Sequence, residues 1–215
     1  MKEIALYSLL YLALFGFTDI LYHKFGVNAE TTRKIVHVCT GVIALSFPVY
    51  LTEFWQAAVL CGSFLGLLFV CERFCWFQSI TAIKRKSYGS WLFALVVLIC
   101  FWIQWKTGNM QYYYIPLLIL SLADPAAAFA GQKWRYRPFR IFGQAKTISG
   151  SLGFLVVCLA ILWGFHPGGQ INQTQWLCIG AMALALTVTE AISVNGWDNL
   201  TIPVVAIGLI YLINP

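Results

Sequence analysis

The run YYIPLLILSLADPAAAFA at residues 113–130 holds one charged side chain, Asp124. A helix of about 20 mostly apolar residues crosses a bilayer, and a carboxylate near its centre costs roughly 2.5 to 3.5 kcal/mol on insertion scales. The stretch therefore reads as a membrane helix carrying an acid that needs a reason to be there. Six more runs read the same way, at 4–22, 35–51, 54–70, 89–105, 148–165 and 176–193, with a shorter one at 200–213. The expected fold is an all-α polytopic membrane bundle of seven or eight transmembrane helices. No signal-peptide cleavage site follows the first run and no transit peptide precedes it, so that run is expected to stay as a mature helix.

Composition agrees. Of 215 residues 60% are hydrophobic and 10% charged, and the mean hydropathy is +0.76. A soluble domain carries about 25% charge, which excludes a soluble monomer, a disordered chain and a nucleic-acid-binding module. The seven cysteines form no CxxC or CxxH spacing and mostly sit in apolar runs, as small buried hydrophobes do. Nine tryptophans and ten tyrosines, many at span ends, fit an interfacial belt.

With eight spans, twelve of the fourteen Lys and Arg residues fall on one side, leaving only Lys2 and Lys106 on the other. The positive-inside rule then puts those basic loops in the cytoplasm and both termini outside. At 1.5 Å per residue, Asp124 lies about 17 Å and Glu190 about 21 Å along helices running towards the basic side. Asp198 follows an expected helix break at Asn195-Gly196. These three acids share a depth, and hard carboxylate oxygens suit Mg2+ held together with substrate phosphates. Asp19, near Lys24, is better explained as a structural ion pair.

Even-numbered helices begin on the basic side, so their positive dipole ends face the cations. They open with Arg33-Lys34-Ile35-Val36-His37, Lys84-Arg85-Lys86-Ser87-Tyr88-Gly89, Lys146-Thr147-Ile148-Ser149-Gly150-Ser151 and Asp198-Asn199-Leu200. Cations at helix N-termini suit a polyanion such as a nucleoside triphosphate. Capping alone accounts for Thr147, Ser149 and Asp198, but not for the adjoining cations. The segment at 143–147 faintly echoes a P-loop. It is rejected because Ala145 replaces the required glycine and no strand is expected before it. Gly62 and Gly66, a GxxxG pair, and Gly180 with Ala181, Ala183 and Ala185 are expected at close helix contacts.

The motifs R-K-x-x-H at 33–37, A-D-P-A-A-A-x-x-G at 123–131, K-T-x-x-G-S at 146–151 and E-(x7)-D-N-L-x-x-P at 190–203 together resemble the phytol, farnesol and dolichol kinase family. These integral membrane kinases are related to the phosphatidate cytidylyltransferases. The resemblance implies one kinase-like domain over residues 1–215, transferring phosphate from CTP or another nucleotide to a membrane-resident isoprenoid alcohol with Mg2+. Its polar motif positions fall on Asp124, Lys146, Glu190, Asp198 and Asn199.

The expected catalytic residues are Asp124, His37, Lys146 and Glu190. Expected nucleotide contacts are Arg33, Lys34, Lys86, Lys146, Thr147, Gly150, Ser151 and Asn199; expected metal ligands are Asp124, Glu190 and Asp198. The lipid hydroxyl would arrive laterally at headgroup depth, giving up its proton to a carboxylate or to His37. The alternatives are a phosphatidate cytidylyltransferase, a CTP-dependent diacylglycerol kinase and a small transporter; no internal repeat supports the last. A prokaryotic inner membrane is the expected location.

Overall fold

The computed structural model describes residues 1–74, 88–166 and 172–213. Lys84, Arg85, Lys86 and Ser87, expected before the fourth span, lie outside the described residues. The chain forms two compact units, Met1–Gly108 and Asn109–Pro215.

The first unit contains α1 (Lys2–Phe25), α2 (Ala29–Ala44), a single turn α3 (Phe47–Tyr50), α4 (Phe54–Phe74) and α5 (Gly89–Thr107). Gly26, at φ 66°, stops α1 in the left-handed conformation that glycine adopts without strain. Asn28 then caps α2, its Oδ1 accepting from the Thr31 N–H at 2.8 Å. Pro48 has no N–H to give the Ala44 carbonyl, and α2 ends there. The span expected at 35–51 is therefore divided into a 16-residue helix and a separate turn. Tyr7 of α1 meets Ser46 at this break, oxygen to oxygen 2.6 Å. Deeper in the unit Phe15 packs with Val36, Phe64 and Leu67, and the Trp91 indole donates to Glu72 at 2.9 Å, tying α5 to α4.

The second unit opens with α6 (Gln111–Leu118), a π-helical turn (Ile119–Ala123) and α7 (Asp124–Trp134), which run on as one 24-residue rod. The wide turn has a local cause. Pro125 cannot donate to the carbonyl of Ser121, and its ring presses on that oxygen; widening the helix relieves the clash. In the same turn Asp124 donates its N–H to Ile119 O, five residues back.

After α7 come two short strands, β1 (Pro138–Ile141) and β2 (Gln144–Thr147), then α8 (Ile148–Gly164), α9 (Gln173–Ile192) and α10 (Asp198–Ile213). The strands pair antiparallel, Phe139 opposite Lys146 and Ile141 opposite Gln144. Between them Phe142 and Gly143 take φ 47° and 80°, the positive pair that a tight two-residue hairpin turn demands. A strand thus does precede residues 143–147, correcting the expectation of none. That segment is the turn and second strand of a hairpin, which still rules out a P-loop.

Among the described residues five helices are long and apolar enough to cross a membrane: α1, α4, α5, the α6–α7 rod and α9. The apolar α8 and α10 are shorter, at 17 and 16 residues. The protein is an all-α polytopic membrane bundle carrying one small β-hairpin.

Close helix packing falls elsewhere than the GxxxG pattern suggests. A Cβ added at Gly62, Gly66 or Gly180 would meet nothing within 4 Å. The tight seam is α7 on α8 instead. There a Cβ at Gly131 would lie 2.7 Å from Thr147 Oγ1, one at Gly150 3.0 Å from Ala127 O, and one at Gly153 2.8 Å from Ala130 Cβ. The alanines of the A-D-P-A-A-A run and the glycines of both motifs let these helix backbones approach.

Candidate functional site

At one end of the second unit α7 and α9 finish while α8 and α10 begin, and the hairpin is inserted between α7 and α8. Alternation along β1 and β2 gives the hairpin two faces. Phe139, Ile141, Gln144 and Lys146 share the half-buried face, whereas Arg140 and Ala145 lie on the exposed one. From the inner face Gln144 Nε2 donates to Asn195 Oδ1 at 2.9 Å, fastening the hairpin to the α9–α10 turn. Asn195 and Gly196 take φ 56° and 86°, so the expected break is indeed where α9 turns into α10.

Two residues along β2, the Lys146 ammonium reaches the last turn of α9. It donates to the Glu190 main-chain carbonyl at 3.0 Å and forms a close ion pair with the Glu190 carboxylate. Glu190 is 4% exposed. A cation at a helix C-terminus is favoured by the dipole, and a carboxylate this buried needs a partner. On the same turn Ser193 Oγ donates to Thr189 O at 2.6 Å and lies 2.7 Å from Thr201 Oγ1, joining the end of α9 to the first turns of α10. Asp198 accepts from the Asn199 N–H at 3.1 Å, and Asn199 is buried.

Thr147 is the N-cap of α8, its Oγ1 accepting from the Gly150 N–H at 3.0 Å. The Ile148 N–H is taken by Arg137 O at 3.3 Å, and Ser149 Oγ accepts from Tyr136 N–H at 3.3 Å. Part of the expected anion-binding helix end is thus already satisfied internally. Gly150 serves the α7–α8 seam, and Ser151 follows it in the same turn, half-buried. Asp124 is half-buried at the junction of the π turn and α7; such turns often mark functional positions. Beside it Ser121 is fully buried, and its Oγ has no hydrogen-bond partner among the described residues.

Arg33, Lys34 and His37 belong to α2 of the first unit, where the His37 ring stands edge-on to Phe93, centroids 4.9 Å apart. Asp124, Lys146, Thr147, Gly150, Ser151, Glu190, Asp198 and Asn199 belong to the second. Among the described residues no three His, Cys, Asp or Glu side chains converge as a metal cage. Asp124, Glu190 and Asp198 are the carboxylates of the second unit, and hard oxygens of this kind are the donors a magnesium ion takes. Gln144, Asn195 and Ser193 were not expected at the site. An Asn-Gly pair reads only as a turn, and a hairpin registers only once both its strands are seen.

Apolar spans of membrane length define an integral membrane protein, and its second unit carries a buried Lys–Glu pair at one end. No family model and no solved structure matches the chain. Among curated proteins it is 28% identical over 201 residues to phytol kinase of Synechocystis sp., covering 90% of this chain and 84% of that one. It is 33% identical over 223 residues to CTP-dependent diacylglycerol kinase 1 of Schizosaccharomyces pombe, covering 91% and 99%. The chain belongs to the polyprenol/phytol kinase family and is a membrane lipid kinase.

Proposed function

We propose that the protein transfers the γ-phosphoryl group of CTP to the hydroxyl of a long-chain isoprenoid alcohol, with Mg2+. The observation that carries this reading is the buried Lys146–Glu190 pair at the polar end of the second unit. In the reaction the alcohol oxygen forms a bond to the γ-phosphorus, the bond from that phosphorus to the β–γ bridging oxygen breaks, and CDP leaves. Glu190 is suited to accept the hydroxyl proton, and Lys146 to shift onto the phosphates as their charge arrives. Asp124, with Asp198 or Glu190, would hold Mg2+ against the phosphate oxygens; the ion supplies charge neutralisation there. Arg33, Lys34 and Lys86 are further candidates for the triphosphate. On this reading residues 1–215 act as one kinase domain, and the site faces the cytoplasm of a prokaryotic inner membrane.

Diacylglycerol is the second acceptor to consider, because the relative aligned over 99% of its length is named for it. The test is to incubate membranes with CTP labelled at the α or γ phosphate and with phytol, farnesol, a polyprenol or diacylglycerol. Label from the γ position in phosphorylated isoprenoid supports the proposal. The same label only in phosphatidate moves the acceptor to diacylglycerol. Lipid labelled from the α position means cytidylyl transfer and overturns the kinase chemistry.

A further inference from the structure

The sequence holds no Asp or Glu from residue 125 to residue 189. Within that stretch Lys133, Arg135, Arg137 and Arg140 are exposed, and among the described residues none of the four pairs with a carboxylate. Their neighbours are aromatic instead. Lys133 Nζ stands 5.4 Å from the Trp134 ring centroid, and the Arg137 guanidinium 5.4 Å from that of Tyr136.

This cluster lies where the chain leaves a membrane-length rod at Trp134 and before it enters the apolar α8, so it sits at the bilayer surface. At the hairpin tip Phe142 is 81% exposed and adopts φ 47°, a conformation that disfavours bulky side chains. A strained aromatic gains nothing from water, but it gains burial in the headgroup region, where aromatic rings and basic side chains gather. Arg140 lies on the face of the hairpin opposite that of Lys146, away from the Lys146–Glu190 pair.

We propose that the hairpin tip and its flanking cations form a docking surface for anionic phospholipid headgroups of the adjoining leaflet. Charge complementarity selects the occupant: four uncompensated cations among interfacial aromatics match a phosphodiester layer. The hairpin would thereby be held against the bilayer while its inner strand presents Lys146 to α9.

The test uses the full chain reconstituted in phosphatidylcholine vesicles with trace spin-labelled phosphatidylglycerol or spin-labelled phosphatidylcholine. The readout is the motionally restricted fraction of each, which needs no catalysis and so stands or falls apart from the kinase assignment. The expected result is roughly fivefold enrichment of the anionic lipid, lost in R135Q/R137Q/R140Q and kept in R73Q, which alters another span end. R140Q alone, on the exposed strand face, lowers the enrichment in part and serves should the triple variant fold poorly. No enrichment by the parent chain, or full enrichment in R140Q and the triple variant, overturns the proposal. So does enrichment abolished by millimolar CTP, which would assign these cations to the nucleotide.

Discussion

The Lys146 ammonium is bonded twice to one residue, Glu190, through its carboxylate and its main-chain carbonyl. The second strand of the hairpin is thereby pinned to the last turn of α9. Removing either side chain leaves a charge behind in a largely buried place, which costs about 3 to 5 kcal/mol. K146M and E190Q are therefore both expected to lose turnover, and K146M to unfold at markedly lower temperature in detergent. The double variant K146M/E190L should regain most of that stability, since a hydrophobic replacement of a buried pair is often neutral or better, yet stay inactive. A double variant that turns over would show that the pair is structural only.

Packing at the α7–α8 seam gives a prediction independent of chemistry. Gly153→Ala drives a methyl to 2.8 Å from the Ala130 side chain and 3.2 Å from Ala126 O, and overpacking of this kind costs about 1 to 3 kcal/mol. Gly62→Ala and Gly66→Ala, with open space around the new methyl, should be neutral or slightly stabilising because alanine is the better helix former. Thermal unfolding of the three variants in one detergent measures the difference, and equal shifts would contradict this assignment of the close contact.

Thr147 has a defined task as N-cap of α8. Thr147→Ala should cost about 1 kcal/mol, as lost caps do, and Thr147→Ser, which keeps the oxygen, should restore it. The KM for nucleotide should move little in either. A large rise in KM for Thr147→Ala with unchanged stability would return the hydroxyl to the nucleotide site.

How far the sequence foretold this arrangement varies by kind of feature. The membrane class and most helices followed from apolar runs, because burial in lipid demands an unbroken signal that composition alone displays. The pairing of Lys146 with Glu190 could not be foreseen, since it depends on a hairpin that packs against a helix end 44 positions further along the chain. The hairpin itself was hidden because its turn is Phe142-Gly143, whereas the recognisable signal is Asn-Gly or Asp-Gly. Gly62 and Gly66 misled in the opposite sense. Their spacing fits the familiar contact motif, but none of the described residues approaches them, while Gly131 and Gly150, in motifs read for chemistry, do the packing with Gly153 just beyond.

Asp124 is the residue on which the metal assignment turns. It stands at the end of a π turn that Pro125 provokes, half-buried in a rod of membrane length. Asp124→Asn keeps its size and much of its hydrogen bonding but removes the charge that an Mg2+ ion requires. Turnover at saturating Mg2+ is expected to fall about a hundredfold or more, the scale typical of a lost electrostatic contact to developing phosphoryl charge, with unfolding temperature close to that of the parent. The apparent Mg2+ requirement should rise in any residual activity. Normal turnover at saturating Mg2+ would exclude Asp124 as the ligand and move the ion towards Asp198. Pro125→Ala tests the placement separately. Restoring the missing N–H lets the helix close to regular α geometry, which rotates Asp124 about the helix axis, so activity should drop while helix content and stability hold or improve.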